Sequence, residues 1–210
     1  MNSVEISISN SVVVAGCVNV GKSSIVKQLS SCDPEVHNYP FTTRRMTMGH
    51  MDLSNLGYGL VQVMDTPGLL RRGDGDEDET EGDGKRNEME KLTLSCLKNV
   101  PCCVLFVYDF TEDNIEGGSS HESQIVIREM VRSLYPKRPW VDVVTKSDMD
   151  YSSDMVEALK QSCSSTNDFE PIVVSGKEGD GMDSLEERIK MEVGRLDKVI
   201  KVIKGSEGGG

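Results

Sequence analysis

Four residues near the start of the chain have the types and the spacing of a phosphate-binding loop. Gly16, Gly21, Lys22 and Ser23 satisfy the pattern GxxxxGK[ST] and follow the apolar run SVVVAG. In such a loop the backbone N–H groups surround phosphate oxygens, the lysine reaches the terminal phosphates, and the serine hydroxyl ligates Mg²⁺. The sequence therefore predicts a nucleotide phosphate site. The residues expected to line it are Asn19, Val20, Gly21, Lys22, Ser23 and Ser24.

A second motif, DTPG, follows the apolar run LVQVM. Its aspartate, Asp65, is predicted to hold Mg²⁺ through a water molecule, and Gly68 to turn its N–H toward the γ-phosphate. The intervening segment NYPFTTRRMTMGH should supply a further hydroxyl to the metal only while the γ-phosphate is present. Thr42 and Thr43 are the candidates, and Thr43 is favoured. The predicted metal ligands are thus Ser23, Thr43 and Asp65.

The segment VDVVTKSD predicts which base is bound. Asp148 is expected to pair with the N1–H and 2-amino groups of guanine, which adenine does not present in that arrangement. The stem of Lys146 should lie against the base, and the backbone after the last predicted strand can reach the guanine oxygen. GTP and GDP are therefore the predicted ligands, and ATP is the weakest alternative. The predicted guanine site comprises Thr145, Lys146, Asp148, Ser175, Gly176 and Lys177.

Apolar strands that alternate with helical patterns are expected to position these motifs. The strand candidates are SVVVAG, LVQVMD, PCCVLFVYDF, PWVDVVTK and EPIVVSGK; the helical patterns are KSSIVKQLSS, SQIVIREMVRSLY and DSLEERIKMEVGRLDKVIKVI, with Asp183 as the cap of the last. This order predicts an α/β fold with a mostly parallel six-stranded sheet and helices on both faces. Ligands in such folds bind at the carboxyl ends of the strands, where each motif lies.

Composition limits the classes of protein that fit. At 210 residues, one domain over residues 1–204 is expected, with a disordered insertion at 71–87 and a flexible tail at 205–210. The net charge of −12 argues against a broad nucleic-acid surface, DNA included, and residues 73–84 alone carry seven acids and no base. No apolar run approaches a membrane span. Six cysteines without a CxxC pair predict buried structural thiols.

The motifs GxxNVGKS, YPFTTR, DTPG, TKSD and SGK, in this order, resemble the Obg-related branch of the translation-factor-class GTPases. NYPFTTR followed by MGHMD is most similar to the Nog subfamily, the nucleolar GTP-binding proteins. The resemblance covers roughly residues 10–195, the G domain. It implies a P-loop GTPase that acts in maturation of the large ribosomal subunit, in the cytoplasm or the nucleus and nucleolus, with an organelle still open. A pre-ribosomal particle or a basic assembly partner could contact the acidic insertion.

The resemblance also bears on hydrolysis, for which the catalytic candidates are Asn19, Lys22, Thr43 and Gly68. Leu69 stands where Ras-type enzymes carry the glutamine that positions the attacking water, so intrinsic turnover should be slow. Asn19 matches the position that helps to bind K⁺ in potassium-activated relatives, or it stabilises only the loop turn. Arg44, Arg45 or an arginine from a partner are further sources of charge. The alternatives are a scaffold with negligible turnover and a paralogue that serves a non-ribosomal assembly.

Overall fold

A computed structural model of the chain describes residues 10–31, 33–38, 45–70, 88–112 and 119–207. Within these ranges, the chain forms seven strands and five α-helices. The strands are β1 (Ser11–Gly16), β2 (Glu35–Asn38), β3 (Arg45–Leu53), β4 (Gly59–Asp65), β5 (Cys102–Tyr108), β6 (Trp140–Val144) and β7 (Ile172–Val173). The helices are α1 (Lys22–Leu29), α2 (Glu88–Asn99), α3 (His121–Leu134), α4 (Ser153–Ser165) and α5 (Met182–Glu207).

The strands form one sheet in the order β2-β3-β4-β1-β5-β6-β7. Strand β1 pairs in parallel with both β4 and β5, and the parallel pairing continues to β6 and β7. The central strands consist almost entirely of buried residues because side chains on both sides of a parallel sheet pack under helices. The predicted α/β class and mostly parallel sheet are confirmed.

The predicted count of six strands is wrong, because two antiparallel strands extend the sheet beyond β4. Strand β3 pairs with β4, and β2 forms the edge beyond β3. Residues 45–50, the last part of the segment NYPFTTRRMTMGH that was expected to be a loop, therefore lie in β3. Met46 and Met48 are buried while Thr47 between them is half-exposed, which is the alternation of a strand with one covered face. The sequence did not reveal this strand because methionine has little preference for β structure.

Helices α2 and α4 were not anticipated, and helix α5 was predicted but differs at both ends from the prediction. Helix α2 packs through Leu92, Cys96 and Leu97, and α4 begins at a cap where Ser152 accepts a hydrogen bond from the Met155 N–H, at 3.4 Å. Helix α5 begins one residue before Asp183, which therefore lies in the first turn instead of capping it. The helix also continues through residues 205–207 of the expected tail. An apolar stripe at helical spacing is buried along it: Leu185, Ile189, Val193, Leu196 and Ile200.

A buried charge network joins α3 to β6 and to the chain after α4. Arg128 has no exposed surface and pairs with Asp142 at 2.9 Å and with Asp168 at 2.6 Å. The Asp142 carboxylate also accepts hydrogen bonds from the Tyr108 hydroxyl, at 2.7 Å, and from the Trp140 indole N–H, at 2.8 Å. A buried ion pair is tolerated when its remaining donors and acceptors are satisfied, as they are here. The network thereby fixes β5 relative to β6, whose ends carry the site described below.

The described cysteines are buried inside this core, and their burial predicts low reactivity of their thiols. Burial raises the pKa of Cys96 to about 11 and that of Cys102 to about 12. Since the thiolate is the nucleophile, we expect both thiols to resist iodoacetamide at pH 8 in the native chain and to react fully in urea. Peptide mass spectrometry after a timed reaction measures this. Rapid native alkylation of either residue would contradict the described burial.

No helix in the described ranges is long and apolar enough to span a membrane.

Candidate functional site

The loop between β1 and α1 has the backbone that its motif requires. Gly21 adopts a left-handed conformation, with φ of 88°, at the N-terminus of α1. A side chain there would be strained, so glycine is required for the turn that points the loop N–H groups inward. Asn19 is also left-handed, with φ of 60°, a conformation that asparagine tolerates better than most residues. The loop and the first turn of α1 thus form a concave backbone surface.

Lys22 and Ser23 lie in the first turn of α1, where Lys22 contacts the loop and Ser23 contacts the end of β4. The Lys22 ammonium is largely buried and donates a hydrogen bond to the carbonyl oxygen of Cys17. Burial lowers the pKa of Lys22, although the charge of Asp65 opposes that shift. The Ser23 hydroxyl donates to Oδ2 of Asp65 at 2.6 Å. Burial also raises the pKa of Asp65, against the opposing effects of Ser23 and Lys22. A phosphate would stabilise the charged lysine, and a cation would stabilise the charged aspartate.

The pair formed by Ser23 and Asp65 fits the requirements of Mg²⁺. Both offer hard oxygen atoms, which this ion prefers, and Mg²⁺ usually keeps phosphate and water oxygens as its other ligands. Among the described residues, no group of three or more histidine, cysteine, aspartate or glutamate side chains could hold a metal by itself. A magnesium ion held by Ser23 and Asp65 would take further ligands from nucleotide and water oxygens. The third predicted ligand, Thr43, lies outside the described residues, as do Thr42 and Arg44.

The DTPG segment lies directly on the phosphate loop. A Cβ atom on Gly68 would stand 2.8 Å from both the Cα and the N of Val18, so only glycine allows this approach. The N–H of the next residue, Leu69, donates to the carbonyl of Gly16 at 3.0 Å. The Thr66 hydroxyl donates to Val14 at 2.7 Å. These contacts place the two predicted motifs side by side, with Leu69 itself buried.

These two segments enclose a cavity of about 620 Å³. All six residues predicted for the phosphate site, 19–24, line it together with 65–68. Met46 and Thr47 of β3 and Lys146 complete the wall. The contribution of β3 was missed because that stretch was interpreted as a loop.

A second cavity, of about 270 Å³, adjoins the first at Gly21, Ser24 and Lys146. Its lining includes Thr145, Asp148, Gly176 and Lys177, all of which were predicted for the guanine site. The phosphate cavity and the predicted base cavity are therefore neighbours at the carboxyl edge of the sheet.

A buried serine orients the carboxylate that is predicted to recognise guanine. The Ser175 hydroxyl donates to Oδ1 of Asp148 at 2.6 Å and accepts the N–H of Glu178 at 2.9 Å. The hydrogen bond from Ser175 lowers the pKa of Asp148, which keeps the carboxylate ionised as a pure acceptor. Gly176, the residue after Ser175, is fixed in turn, because the Gly176 carbonyl oxygen accepts a hydrogen bond from the Gln28 side chain of α1 at 2.7 Å. The Ser175 side chain thus contacts Asp148, a contact that the sequence analysis did not predict for this residue.

Thr145 has a role that its motif did not predict. Its hydroxyl lies 2.9 Å from the carbonyl oxygen of Val20 and 3.0 Å from that of Tyr108, and shares its proton between them. The residue is buried, so the loop, the end of β5 and the guanine motif are joined at one point.

Replacing Thr145 with valine should accelerate release of bound GDP by about tenfold, because a buried carbonyl that loses its partner costs about 1–3 kcal/mol. Release of a fluorescent GDP analogue, followed after addition of excess GDP, measures the rate. Thr166→Val is the control for loss of a threonine hydroxyl: Thr166 is exposed and donates to Asp168 at 2.6 Å, and it lines neither cavity. Equal release rates for wild type and Thr145→Val would contradict the assigned role.

Fold and site together define a P-loop GTPase domain, and comparison with known proteins gives its family. The family model described as a 50S ribosome-binding GTPase matches residues 11–146. The chain belongs to this family, and the predicted resemblance to the nucleolar GTP-binding proteins is confirmed.

Individual relatives agree with this placement. The chain is 32% identical over 149 residues to nucleolar GTP-binding protein 1 of Drosophila melanogaster, an alignment that covers 71% of this chain and 21% of the relative. It is 36% identical over 137 residues to the protein of the same name from Encephalitozoon cuniculi, an alignment that covers 65% of this chain and 23% of the relative. The chain thus spans about a fifth of the length of these relatives.

Two solved structures share the fold. A Plasmodium falciparum protein described as a nucleolar GTP-binding protein 1 superposes with a TM-score of 0.64 at 23% identity, over 95% of this chain and 93% of the other. The G domain of the Thermotoga maritima FeoB iron transporter superposes with a TM-score of 0.59 at 20% identity, over 88% and 98%.

Proposed function

We propose that this chain binds GTP with Mg²⁺ and hydrolyses it slowly to GDP and phosphate, as a molecular switch. The observation that carries the proposal is the adjacency of the two cavities. The phosphate cavity contains Lys22 and Ser23, the base cavity contains Asp148, and Lys146 lines both. One guanine nucleotide placed along this edge would contact all the predicted groups at once. We further propose that residues 1–204 act as a single G domain.

Each residue of the proposed nucleotide site contributes a separate interaction to the bound nucleotide. Lys22 supplies a cation to the terminal phosphates from a largely buried position, where its charge is weakly screened. The loop N–H groups bind the remaining phosphate oxygens. Asp148 accepts the two guanine donors. Ser23 and Asp65 would hold Mg²⁺, with Thr43 as the predicted third ligand, and the ion would neutralise charge on the phosphates.

Slow turnover is proposed because of Leu69. The side chain is buried and apolar, so it cannot orient a water molecule for attack on the γ-phosphate. The N–H of Gly68 would stabilise the γ-phosphate but would not activate the water. Asn19 remains a candidate K⁺ ligand, and its left-handed backbone also suits the alternative role of stabilising the turn.

Single-turnover GTP hydrolysis in KCl and in NaCl at equal ionic strength, with Mg²⁺ present, tests this account. Faster decay in KCl, lost in Asn19→Ala, would support a potassium-assisted GTPase. Equal slow decay in both salts would reject the potassium role. Undetectable decay with GTP still bound would favour the second candidate, a nucleotide-binding scaffold, which the burial of Leu69 supports.

The biological setting is also a proposal. The name of the relatives, nucleolar GTP-binding protein 1, supports a nucleolar setting, with the cytoplasm as the alternative. The description of the matching family, a 50S ribosome-binding GTPase, supports a role in assembly of the large ribosomal subunit. The acidic insertion at 71–87 would contact a pre-ribosomal particle or a basic assembly factor there. Sedimentation with pre-ribosomal particles in the GTP state but not the GDP state would support this role. Absence from the particles in both states would favour a paralogue that serves another assembly.

A further inference from the structure

A buried carboxylate outside every predicted motif contacts the guanine-site lysine. Asp109 directly follows β5 and has no exposed surface. Its two oxygens have different partners. Oδ1 accepts the backbone N–H of Thr111 at 2.9 Å and its hydroxyl at 2.7 Å, whereas Oδ2 forms an ion pair with the Lys146 ammonium. A buried carboxylate is tolerated only when paired in this way.

The backbone of Asp109 is fixed as firmly as its side chain. Its N–H donates to Oε1 of Gln124 at 3.0 Å, and the Gln124 amide donates back to the Asp109 carbonyl at 2.8 Å. Gln124 is itself buried on α3. The carboxylate therefore cannot follow the lysine, so the lysine is the partner that is positioned.

The exposure, backbone conformation and location of Lys146 allow Asp109 to position its side chain. Its side chain is 34% exposed, and its backbone is left-handed with φ of 60°. It lines both the phosphate cavity and the base cavity. With the ammonium bound to Asp109, the four-carbon stem is held along the wall that the two cavities share.

We propose that Asp109 is a positioning residue that acts through Lys146 to hold the lysine stem against the guanine base. The inference rests on the proposed nucleotide site. Anchoring one end of a flexible side chain before the ligand arrives reduces the entropy lost on binding. Its consequence is slower release of the nucleotide. The purely structural alternative is that Asp109 only shapes the turn after β5 through Thr111.

Two substitutions separate these roles because each oxygen has its own partner. Asp109→Asn keeps an oxygen for Thr111 but places an amide N–H in front of the Lys146 ammonium, which removes the ion pair. Thr111→Val removes the hydroxyl bond to Oδ1 and leaves the ion pair in place. Lys146→Met keeps the apolar stem and removes only the anchored charge.

The test is release of mant-GDP from the full chain with Mg²⁺, measured by stopped flow after mixing with excess GDP. We expect release about tenfold faster in Asp109→Asn and in Lys146→Met, and no further acceleration in the double variant, because residues that act as one unit are not additive. Thr111→Val should release at the wild-type rate.

Wild-type release from Asp109→Asn, or a double variant whose acceleration equals the product of the two single effects, would overturn the inference. Acceleration in Thr111→Val equal to that in Asp109→Asn would establish the structural role instead. If circular dichroism shows Asp109→Asn to be unfolded, Lys146→Met decides, since wild-type release from it would also overturn the inference. A wild-type chain that binds no mant-GDP would refute the proposed function and this inference together.

Discussion

Replacing Lys22 with methionine should lower the affinity for GDP and GTP by about 100-fold or more. Removing one partner of a buried, hydrogen-bonded charge pair costs about 2–5 kcal/mol, and 1.4 kcal/mol corresponds to a factor of ten. Lys22 is only 8% exposed, so water cannot replace its contact with a bound phosphate. Methionine keeps the length and the apolar packing of the stem. Equilibrium titration with mant-GDP measures the loss.

Lys27→Met is the control, because Lys27 lies in the last turn of the same helix and is exposed. It removes an equal charge from the protein at a distance from the phosphate cavity, so its affinity should match that of wild type. Circular dichroism should show both variants folded. If Lys22→Met bound GDP as well as Lys27→Met, the phosphate role of Lys22 would be wrong.

Replacing Asp148 with asparagine should weaken GDP binding by about 100-fold or more and make XDP the preferred ligand. A site built to hydrogen-bond particular groups strongly rejects a ligand that leaves those groups unpaired. An asparagine amide presents one donor where the carboxylate had an acceptor, so it faces the guanine 2-amino group donor to donor. Xanthine has an oxygen at that position, which can accept the amide N–H.

The asparagine oxygen can still accept the Ser175 hydroxyl, so the loop should keep its conformation. Asp150→Asn, two residues further along the same exposed turn, is the matched control and should retain the preference for GDP. Competition of GDP and XDP against mant-GDP measures the preference. A variant that still favours GDP would show that Asp148 does not recognise the base.

The strands that carry the site could be predicted from their composition. The valine-rich runs that became β1, β5 and β6 are buried on both faces, which leaves a continuous apolar pattern in the sequence. Strand β3 could not be predicted in the same way, because its covered face is filled mainly by methionine. Helices α2 and α4 were not anticipated because part of each buried face consists of small or polar residues: Thr93 and Cys96 in α2, and Ser162 and Cys163 in α4.

In the site, too, residues specified by a local motif could be predicted, whereas contacts between distant segments could not. Loop residues such as Lys22 and Ser23 were predictable because one short motif specifies both the backbone and its side chains. The contacts of Thr145 with Val20, and of Lys146 with Asp109, join segments that are far apart in the chain. Such contacts depend on how β1, β5 and β6 lie side by side, which no local pattern reports.

The most direct test of the central claim is calorimetric titration of the purified chain with GDP and, separately, with ADP, each with Mg²⁺. The structure predicts that GDP binds at a single site and at least about 100-fold more tightly than ADP, because only guanine satisfies the Asp148 carboxylate. Equal affinity for the two nucleotides would contradict the guanine assignment. No binding of either would contradict the nucleotide site itself.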